Sequence, residues 1–319
     1  MGKHTKDELY MMQALPLSVK VRMTETRIRQ WVQYYGEDGV YVSFSGGKDS
    51  TVLLHIARGL YPDLKAVFVN TGLEYPEIQS FVKTFDNVDI LRPKMPFNEV
   101  VRKWGYPFFG KDIAKNIYYA RSSGEKSAHY QKLFGIGKYE GSMFATPKYK
   151  DALKTDFLIG DHCCAVMKKA PSHQYAKANG RSPITGQQAD ESMMRMARWL
   201  EQGCNAFDNI HPISNPLSFW TEQDILEYIK TEHIEIAPVY GDIVYEDEDG
   251  NQYAESLVPG CKYATTGCKR TGCIFCGFGA HLENGEGRFE RLKKTHPKQY
   301  DYCMGGGGVR YGRRILETN

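Results

Sequence analysis

The sequence predicts an α/β protein with a doubly wound parallel sheet and a small cysteine-rich metal module near its C-terminus. Three short apolar runs predict strands: VYVSF at 40–44, AVFVN at 66–70 and VDIL at 88–91. Segments of helical pattern alternate with them, at 51–60 and 75–84. Short β-rich runs separated by helices are typical of βαβ units, whose strands are parallel. A cluster of cysteines beyond residue 260 predicts the metal module.

These patterns divide the 319 residues into three parts. Residues 1–37 are an N-terminal helical segment, because apolar side chains recur at near-helical spacing over 18–35. Residues 38–240 are the α/β domain. Residues 241–319 hold an acidic insertion, the cysteine-rich module and a tail.

Four later segments complete the predicted order. Residues 104–155 have weak periodicity and predict short helices with a long loop. RSPITG at 181–186 predicts a strand and a turn. Thr221 and Asp224 give a capping-box-like start to a helix that ends near residue 230. The acidic stretch IVYEDEDGNQYAE at 243–255 predicts a hairpin or surface insertion.

Composition limits the classes of protein that the chain can belong to. The net charge of +3 and the pI near 8.3 are too small to indicate nucleic-acid binding by themselves. No run of about 18 apolar residues predicts a membrane span, and the polar N-terminus is unlike a secretory signal. We therefore expect a cytoplasmic protein without membrane contact, in which cysteines serve metal binding or catalysis rather than disulfides.

The hexapeptide SGGKDS joins the first predicted strand to the first predicted helix. This turn places backbone N–H groups and a helix N-terminus at one point, which is an anion site. Glycines allow positive φ and close approach to phosphate, and hydroxyls add further contacts. The spacing differs from that of a Walker A loop. The predicted nucleotide-binding residues of the turn are Ser45, Gly46, Gly47, Lys48, Asp49 and Ser50.

SGGKDS resembles the PP-loop of the N-type ATP pyrophosphatases and of the sulfonucleotide reductases. VFVNTGLEYPE at 67–77 is similar to the second strand and following loop of that superfamily, which adds Asn70, Thr71 and Gly72 as nucleotide-binding candidates. The combined motifs resemble the phosphoadenylyl-sulfate reductase family over roughly residues 38–300. The resemblance implies an adenine nucleotide α-hydrolase-like fold that binds an adenine nucleotide.

Two further segments carry the resemblance. PITGQQADES is similar to a reductase segment, which implies that Gly186 contacts nucleotide and that Asp190, Ser192 and Arg195 contact substrate, although Gln188 stands where many relatives have arginine. PLSFWTEQDILEYI is similar to a second segment of the reductases.

The cysteines allow two kinds of metal site. Soft thiolates select iron–sulfur clusters or zinc, and four of them satisfy either. CCAVMKKAP at 163–171 and CIFC at 273–276 resemble the segments that hold a [4Fe-4S] cluster in adenylyl-sulfate reductases. In related proteins of DNA phosphorothioation one early cysteine joins three late ones. The candidate ligands are therefore Cys163, Cys164, Cys268, Cys273 and Cys276, of which four would bind a [4Fe-4S] cluster or, alternatively, zinc.

Three functions remain open from the sequence. In the first, preferred, a sulfonucleotide is reduced to sulfite, with a thioredoxin-like electron donor. The family's tail cysteine motif is missing, so Cys303 is the only candidate nucleophile near the end. In the second, ATP with Mg²⁺ adenylates a substrate before sulfur insertion, with a cysteine desulfurase as sulfur donor. The third is a nucleotide or redox sensor.

Lys48 is expected to stabilise the transferring group in both reactions. A nucleic-acid substrate would need a basic groove, whose candidates are Arg288, Arg291, Lys293, Lys294, Arg310, Arg313 and Arg314.

Overall fold

The computed structural model describes residues 3–255, 260–283 and 287–306. The chain forms two compact units. Unit 1 consists of Met1–Asn70, Glu74–Leu91 and Ser172–Thr271. Unit 2 consists of Thr71–Leu73, Arg92–Pro171 and Gly272–Asn319. Each unit is assembled from segments that are distant along the chain, and the three-part division predicted from the sequence stays a prediction.

The regular elements follow in chain order. The helices are α1 Lys6–Gln13, α2 Leu17–Tyr35, α3 Lys48–Leu60, α4 Pro76–Val82, α5 Phe97–Trp104, α6 Lys111–Ala120, α7 Ala128–Phe134, α8 Ala170–Asn179, α9 Met193–Gln202, α10 Glu222–Thr231, α11 Arg288–Thr295 and α12 Pro297–Asp301. The strands are β1 Val40–Ser43, β2 Ala66–Val69, β3 Val88–Leu91, β4 Phe108–Phe109, β5 Ser182–Thr185, β6 Asn205–Ala206, β7 Ile213–Ser214, β8 Ile243–Glu246, β9 Gln252–Tyr253, β10 Lys262–Thr265 and β11 Gly277–Phe278.

The main sheet of unit 1 has the strand order β3-β2-β1-β5-β7-β6. Neighbouring strands are parallel except β6, which is antiparallel to β7. Val40, Tyr41 and Val42 of the central strand are all buried, as expected for a parallel strand covered on both faces. The predicted α/β fold with a mainly parallel sheet is confirmed, and so are its first three strands.

The strand order reverses at β1. The chain runs outward through β2 and β3, and it returns to the other side of β1 as β5. Such a reversal of strand order is expected in a doubly wound sheet, which stays a prediction for this chain. The gap between the carboxyl ends of β1 and β5 is the topological switch point, where ligands bind in such sheets.

Three other predicted elements of unit 1 are confirmed. Helix α2 covers the predicted N-terminal helix, and β8 and β9 form the acidic hairpin. Helix α10 begins with a full capping box between Thr221 and Asp224. The Asp224 carboxylate also binds the buried Lys20 ammonium at 2.7 Å, which ties α2 to α10. The third strand of the small sheet, β10, pairs with β8 and was not foreseen.

Unit 2 is built around one apolar core. Helices α6 and α7 pack against each other and against a 3₁₀ helix at Pro147–Lys154, so the weakly periodic region is more ordered than its sequence suggested. Strand β4 pairs in parallel with β11. Cys163 and Met167 are buried in the same core, at the start of a π-helical turn.

No helix in the described ranges is long and apolar enough to cross a membrane.

Candidate nucleotide site and cysteine group

The SGGKDS turn of unit 1 lies at the switch point, between β1 and α3. Gly46 has φ of 71°, a conformation that disfavours side chains. A Cβ at Gly46 would lie 2.8 Å from Val82 Cγ2 and 2.9 Å from Ile78 Cγ2. Helix α3 begins at Lys48 with Gly47 as its N-cap. Glycine is therefore required at position 46 by both conformation and space.

The hydroxyls of the turn hold its backbone in place. Ser50 Oγ accepts a hydrogen bond from the Ser45 amide at 3.1 Å and lies 2.9 Å from the Gly47 carbonyl, to which it donates. Ser45 Oγ accepts from the Gly47 amide at 3.3 Å and lies 3.0 Å from Ser50 Oγ. The turn is thus fixed by its own side chains before any ligand binds.

Lys48 contacts several groups outside the turn. Its side chain is 5% exposed, and Nζ donates to the Lys269 carbonyl at 2.9 Å and pairs with the Glu222 carboxylate at 3.1 Å. Its amide donates to the Tyr240 hydroxyl at 3.1 Å, and this hydroxyl lies 2.6 Å from Thr271 Oγ1.

The ammonium of Lys48 is held in its charged form. Burial acts to lower the pKa of Lys48, but the neighbouring carboxylates of Asp49 and Glu222 outweigh burial and raise the pKa above its ordinary value. Lys48 is therefore a buried positive charge at neutral pH.

Asp49 and Gly186 connect the turn to β5. Burial raises the pKa of Asp49 above its ordinary value, against the opposing effect of Lys48. Gln188 Nε2 donates to Asp49 Oδ1 at 3.3 Å. A Cβ at Gly186 would lie 3.0 Å from the Asp49 carbonyl oxygen, so the loop after β5 packs directly against the start of α3. The predicted partners on the two sides of the switch point are brought together.

Four cysteines of unit 2 share one electrostatic environment. Burial raises the pKa of the Cys163 thiol, and the nearby thiols of Cys273, Cys164 and Cys276 raise it further. Burial also raises the pKa of Cys276, on which Cys164 has the same effect while Arg288 opposes it. The early pair and the late pair, separated by 109 positions in sequence, thus lie near each other.

The four cysteines of unit 2 could in principle hold a zinc ion or a [4Fe-4S] cluster, and the two need different spacing of the sulfurs. Within the described residues, no group of three or more His, Cys, Asp or Glu side chains could hold one metal ion. A zinc ion needs four ligands on one centre, with sulfurs at about 2.3 Å. A [4Fe-4S] cluster needs four thiolates on four different irons, which allows wider spacing. The described residues therefore show neither of these two metal sites, and they do not show the separate C-terminal metal module.

A model of the phosphoadenosine phosphosulfate reductase domain matches residues 39–111 and 137–277. The chain belongs to this family. The match covers more than half of the chain, and it includes the SGGKDS turn, both cysteine pairs and the loop after β5.

Individual proteins resemble the chain at low sequence identity. Sulfate adenylyltransferase subunit 2 from Allorhizobium ampelinum is 26% identical over 212 residues, which cover 64% of this chain and 58% of that protein. A phosphoadenylyl-sulfate reductase structure from Candida auris has 13% identity and a TM-score of 0.40, covering 73% of this chain and 90% of that one. The U34-tRNA thiolase NcsA from Methanococcus maripaludis, with its [4Fe-4S] cluster, has 13% identity and a TM-score of 0.35, covering 95% and 81%.

Three further residues that the sequence suggested as nucleotide-binding follow strand β2. Asn70 follows β2, and its amide donates to the Leu91 carbonyl at 2.8 Å in unit 1. Thr71 and Gly72 belong to unit 2, where Thr71 Oγ1 accepts from the Leu73 amide and Gly72 has φ of 74°. Nucleotide binding by these three residues stays a prediction.

The three candidate substrate contacts lie at the start of α9. Ser192 is the N-cap of α9 and accepts from the Arg195 amide. Arg195 forms an ion pair with Glu191. Asp190 is exposed at the surface, and its pKa is raised by partial burial and by neighbouring carboxylates, Glu191 first. Ser192 and Arg195 therefore have local structural partners, and their contact with substrate stays a prediction.

The predicted roles of Cys268 and Cys303 stay predictions. Cys268 belongs to unit 1, where its amide donates to the Val239 carbonyl and its own carbonyl accepts from Thr265 Oγ1. Cys303 is 4% exposed, and burial raises its pKa to about 12. A thiol with this pKa is protonated at neutral pH, which argues against Cys303 as the nucleophile.

Sequence reasoning missed the groups that surround Lys48. Tyr240, Thr271 and the Lys269 carbonyl come from segments with no recognised nucleotide motif. Glu222 was within the PLSFWTEQDILEYI segment, but only its helix was predicted. Among the basic groove candidates, Arg310, Arg313 and Arg314 lie outside the described residues.

Proposed function

We propose that this chain is a PP-loop enzyme of sulfur metabolism that binds ATP at residues 45–50 and transfers its adenylyl group to an oxygen of a second substrate. The reaction forms a bond between that oxygen and the α-phosphorus, and it breaks the bond from the α-phosphorus to pyrophosphate. This is the second of the functions that the sequence left open, and the geometry now favours it over sulfonucleotide reduction.

The observation that carries the proposal is the environment of Lys48. Its amide already donates to an oxygen, that of Tyr240, and its ammonium already contacts two oxygens, those of Lys269 and Glu222. Donors arranged in this way can exchange these oxygens for those of a phosphate. The hydroxyls of Tyr240 and Thr271 lie beside the amide and supply additional hydrogen-bond donors.

Two observations favour ATP over a sulfonucleotide. Besides burial, the carboxylates of Glu191 and Glu222 raise the pKa of Asp49 in the turn, and carboxylates suit a nucleotide that arrives with Mg²⁺. Reduction needs a thiolate nucleophile, and burial keeps Cys303 protonated. The name of the Allorhizobium relative, an adenylyltransferase subunit, agrees with adenylyl transfer.

Residues of the turn have separate roles in this reaction. The Lys48 ammonium and the amides of the turn neutralise negative charge that builds up on the phosphates as the bond to pyrophosphate breaks. Gly46 and Gly186 allow the turn to pack closely against α4 and against the loop after β5. Burial around Lys48 excludes water, which strengthens these charge interactions.

We also propose that Cys163, Cys164, Cys273 and Cys276 hold a [4Fe-4S] cluster in unit 2. The support is the mutual effect of these thiols on their pKa values and the chemistry of the donor set. When bound, such a cluster supplies electron transfer or a site for sulfur. Arg288 and Lys111 carry positive charge near Cys276 and offset the charge of the ligating thiolates.

Sulfonucleotide reduction is the second candidate, because the family and the four neighbouring thiols favour it. In that reaction a thiolate attacks the sulfur of adenylyl sulfate and AMP leaves, after which a thioredoxin-like donor releases sulfite. The nucleophile would then have to be a cysteine other than Cys303.

One experiment separates the two candidates. Protein purified without oxygen is given ATP labelled at the α-phosphate, with Mg²⁺ and with sulfate or water as acceptor, and separately adenylyl sulfate or phosphoadenylyl sulfate with a dithiol. We expect labelled AMP or labelled adenylyl sulfate, together with pyrophosphate, and at least a 100-fold loss in Lys48→Ala. The matched control is Lys83→Ala, which removes an exposed lysine of unit 1. Labelled ADP, or sulfite from either sulfonucleotide, would contradict the proposal.

A further inference from the structure

The small net charge of the chain conceals two units of opposite charge. Within the described residues, unit 1 has 18 Lys and Arg against 26 Asp and Glu, a net charge of −8. Unit 2 has 20 Lys and Arg against 10 Asp and Glu, a net charge of +10. A strong charge asymmetry within one chain indicates a polyanionic partner for the basic part.

The excess is concentrated in residues 111–154, here called the basic segment. It carries nine Lys and Arg and four Asp and Glu. Lys132 and Lys154 pair with Asp112 and Asp151, and Arg121 donates to the carbonyls of Ala152 and Thr155. The remaining lysines are all exposed, and they are Lys111, Lys115, Lys126, Lys138, Lys148 and Lys150.

The basic segment is compact enough to present these lysines together. Helices α6 and α7 and the 3₁₀ helix at Pro147–Lys154 are in mutual contact. The Thr146 amide donates to the Lys132 carbonyl at 2.9 Å, which closes the loop between α7 and the 3₁₀ helix. Lys138 and Lys148 each lie over the ring of the tyrosine that follows them, at 5.1 Å and 4.9 Å from the ring centres.

Large apolar side chains are exposed within the same loop. Phe144 is 62% exposed and Met143 is 89% exposed, although both are costly to leave in water. They lie in sequence between Lys138 and Lys148, so lysines flank the exposed apolar pair on both sides. Proteins that bind single-stranded nucleic acid combine cations that follow the phosphates with aromatic side chains on which bases stack.

We propose that the basic segment binds single-stranded nucleic acid, with Lys138, Lys148 and Lys150 on the phosphates and Phe144 stacked on a base. A duplex fits less well, because its bases are already stacked and cannot receive Phe144. A membrane surface also fits less well, since Met143 and Phe144 lie in a short loop rather than on the continuous apolar face of an amphipathic helix. This proposal does not depend on the reaction proposed above.

The test is fluorescence anisotropy of a labelled 20-nucleotide single strand, RNA or DNA, titrated with the full chain at several salt concentrations. We expect log K to fall linearly with log salt, by about 0.7 per phosphate contact. The variant Lys138→Ala/Lys148→Ala/Lys150→Ala should reduce that slope by about 2 and weaken binding roughly 10-fold or more at 100 mM salt. Phe144→Ser should weaken binding about 10-fold with an unchanged slope.

Matched controls remove exposed groups from unit 1. Lys6→Ala/Lys83→Ala/Lys177→Ala and Tyr10→Ser replace exposed side chains of the same types, and both should bind as the unaltered chain does. Equal losses in the two triple variants would overturn the proposal. So would equal competition by poly-glutamate, which presents charge without bases, or binding to phosphatidylserine vesicles with none to the oligonucleotide.

Discussion

The SGGKDS turn and the cysteine group reach their arrangement by opposite means. In the turn, hydroxyls, amides and a buried ammonium already have oxygen partners, and glycine conformations fix the backbone. In the cysteine group, Cys163 is buried in an apolar core and Cys273 packs against that core, and burial raises the pKa of Cys163 and Cys276. The turn is therefore preorganised without ligand, whereas burial holds the thiols of Cys163 and Cys276 in their protonated form.

The largest effect should come from removing one thiol of the cysteine group, and it should be seen in the bound iron. Cys276→Ser leaves three ligands, so we expect loss of nearly all bound iron and sulfide and of the visible absorption of the anaerobic protein. The matched variant Cys268→Ser should keep both, because Cys268 is not among the four ligands proposed above. Iron analysis and absorption spectra measure the effect. Loss of iron in Cys268→Ser, with full iron in Cys164→Ser, would instead support the ligand set of one early and three late cysteines.

The second largest effect should come from adding one methyl group to the SGGKDS turn. Gly46→Ala forces positive φ on alanine and overlaps the methyls of Val82 and Ile78. We expect the free energy of unfolding to fall by about 2–4 kcal/mol and ATP affinity to fall more than 10-fold. Urea unfolding and calorimetric titration would measure the two effects.

Gly59→Ala is the control, because this helical glycine has no neighbour within 4 Å of an added Cβ. It should be neutral or stabilising by up to about 1 kcal/mol. Similar losses in both variants would show that the space around Gly46 is not the cause.

Cys303 provides a pH test of the buried thiols. Its folded-state pKa of about 12 lies above the value near 8.5 of an unfolded chain, so the folded state retains the proton longer. The resulting stability is complete below about pH 8.5 and is lost as pH rises towards 12. Relative to Cys303→Ser, the unaltered chain should lose about 1.4 kcal/mol of unfolding free energy per pH unit above pH 9. A constant difference between the two would restore Cys303 as a candidate nucleophile.

The smallest effect should come from the Tyr240 hydroxyl. Tyr240→Phe leaves the Lys48 amide without its oxygen partner, which should cost about 1–2 kcal/mol of unfolding free energy in the ligand-free protein. Saturating ATP should remove most of that cost, because a phosphate oxygen takes over the amide. Thermal unfolding with and without ATP compares the two states. A cost that ATP leaves unchanged would mean that the amide does not face the nucleotide.

Local features were predictable from the sequence because their causes are local. The turn needs glycine, serine and lysine at fixed spacing, and the capping box needs Thr221 and Asp224 three positions apart. The strands β1, β2 and β3 were evident as short apolar runs. Each of these features depends on neighbouring residues alone.

Long-range features were not predictable for the same reason. Tyr240 is 192 positions from Lys48, and nothing in APVYGD indicates an oxygen at the turn. The assembly of unit 2 from three segments depends on packing around residues such as Phe108 and Cys163. The buried position of Cys303 also follows from packing, which a cysteine beside glycines in the sequence did not suggest.

The split path of unit 2 sets the order in which a cell can complete it. A ribosome makes Cys163 and Cys164 first and reaches Cys273 and Cys276 only 109 positions later, an interval of about 5–20 seconds at usual speeds. During that time β11 has not been synthesised and cannot pair with β4. The thiols of Cys163 and Cys164 are then present without those of Cys273 and Cys276. Delivery of metal for the cluster proposed above would therefore follow the synthesis of Cys276, and the first two thiols would have to stay reduced until then.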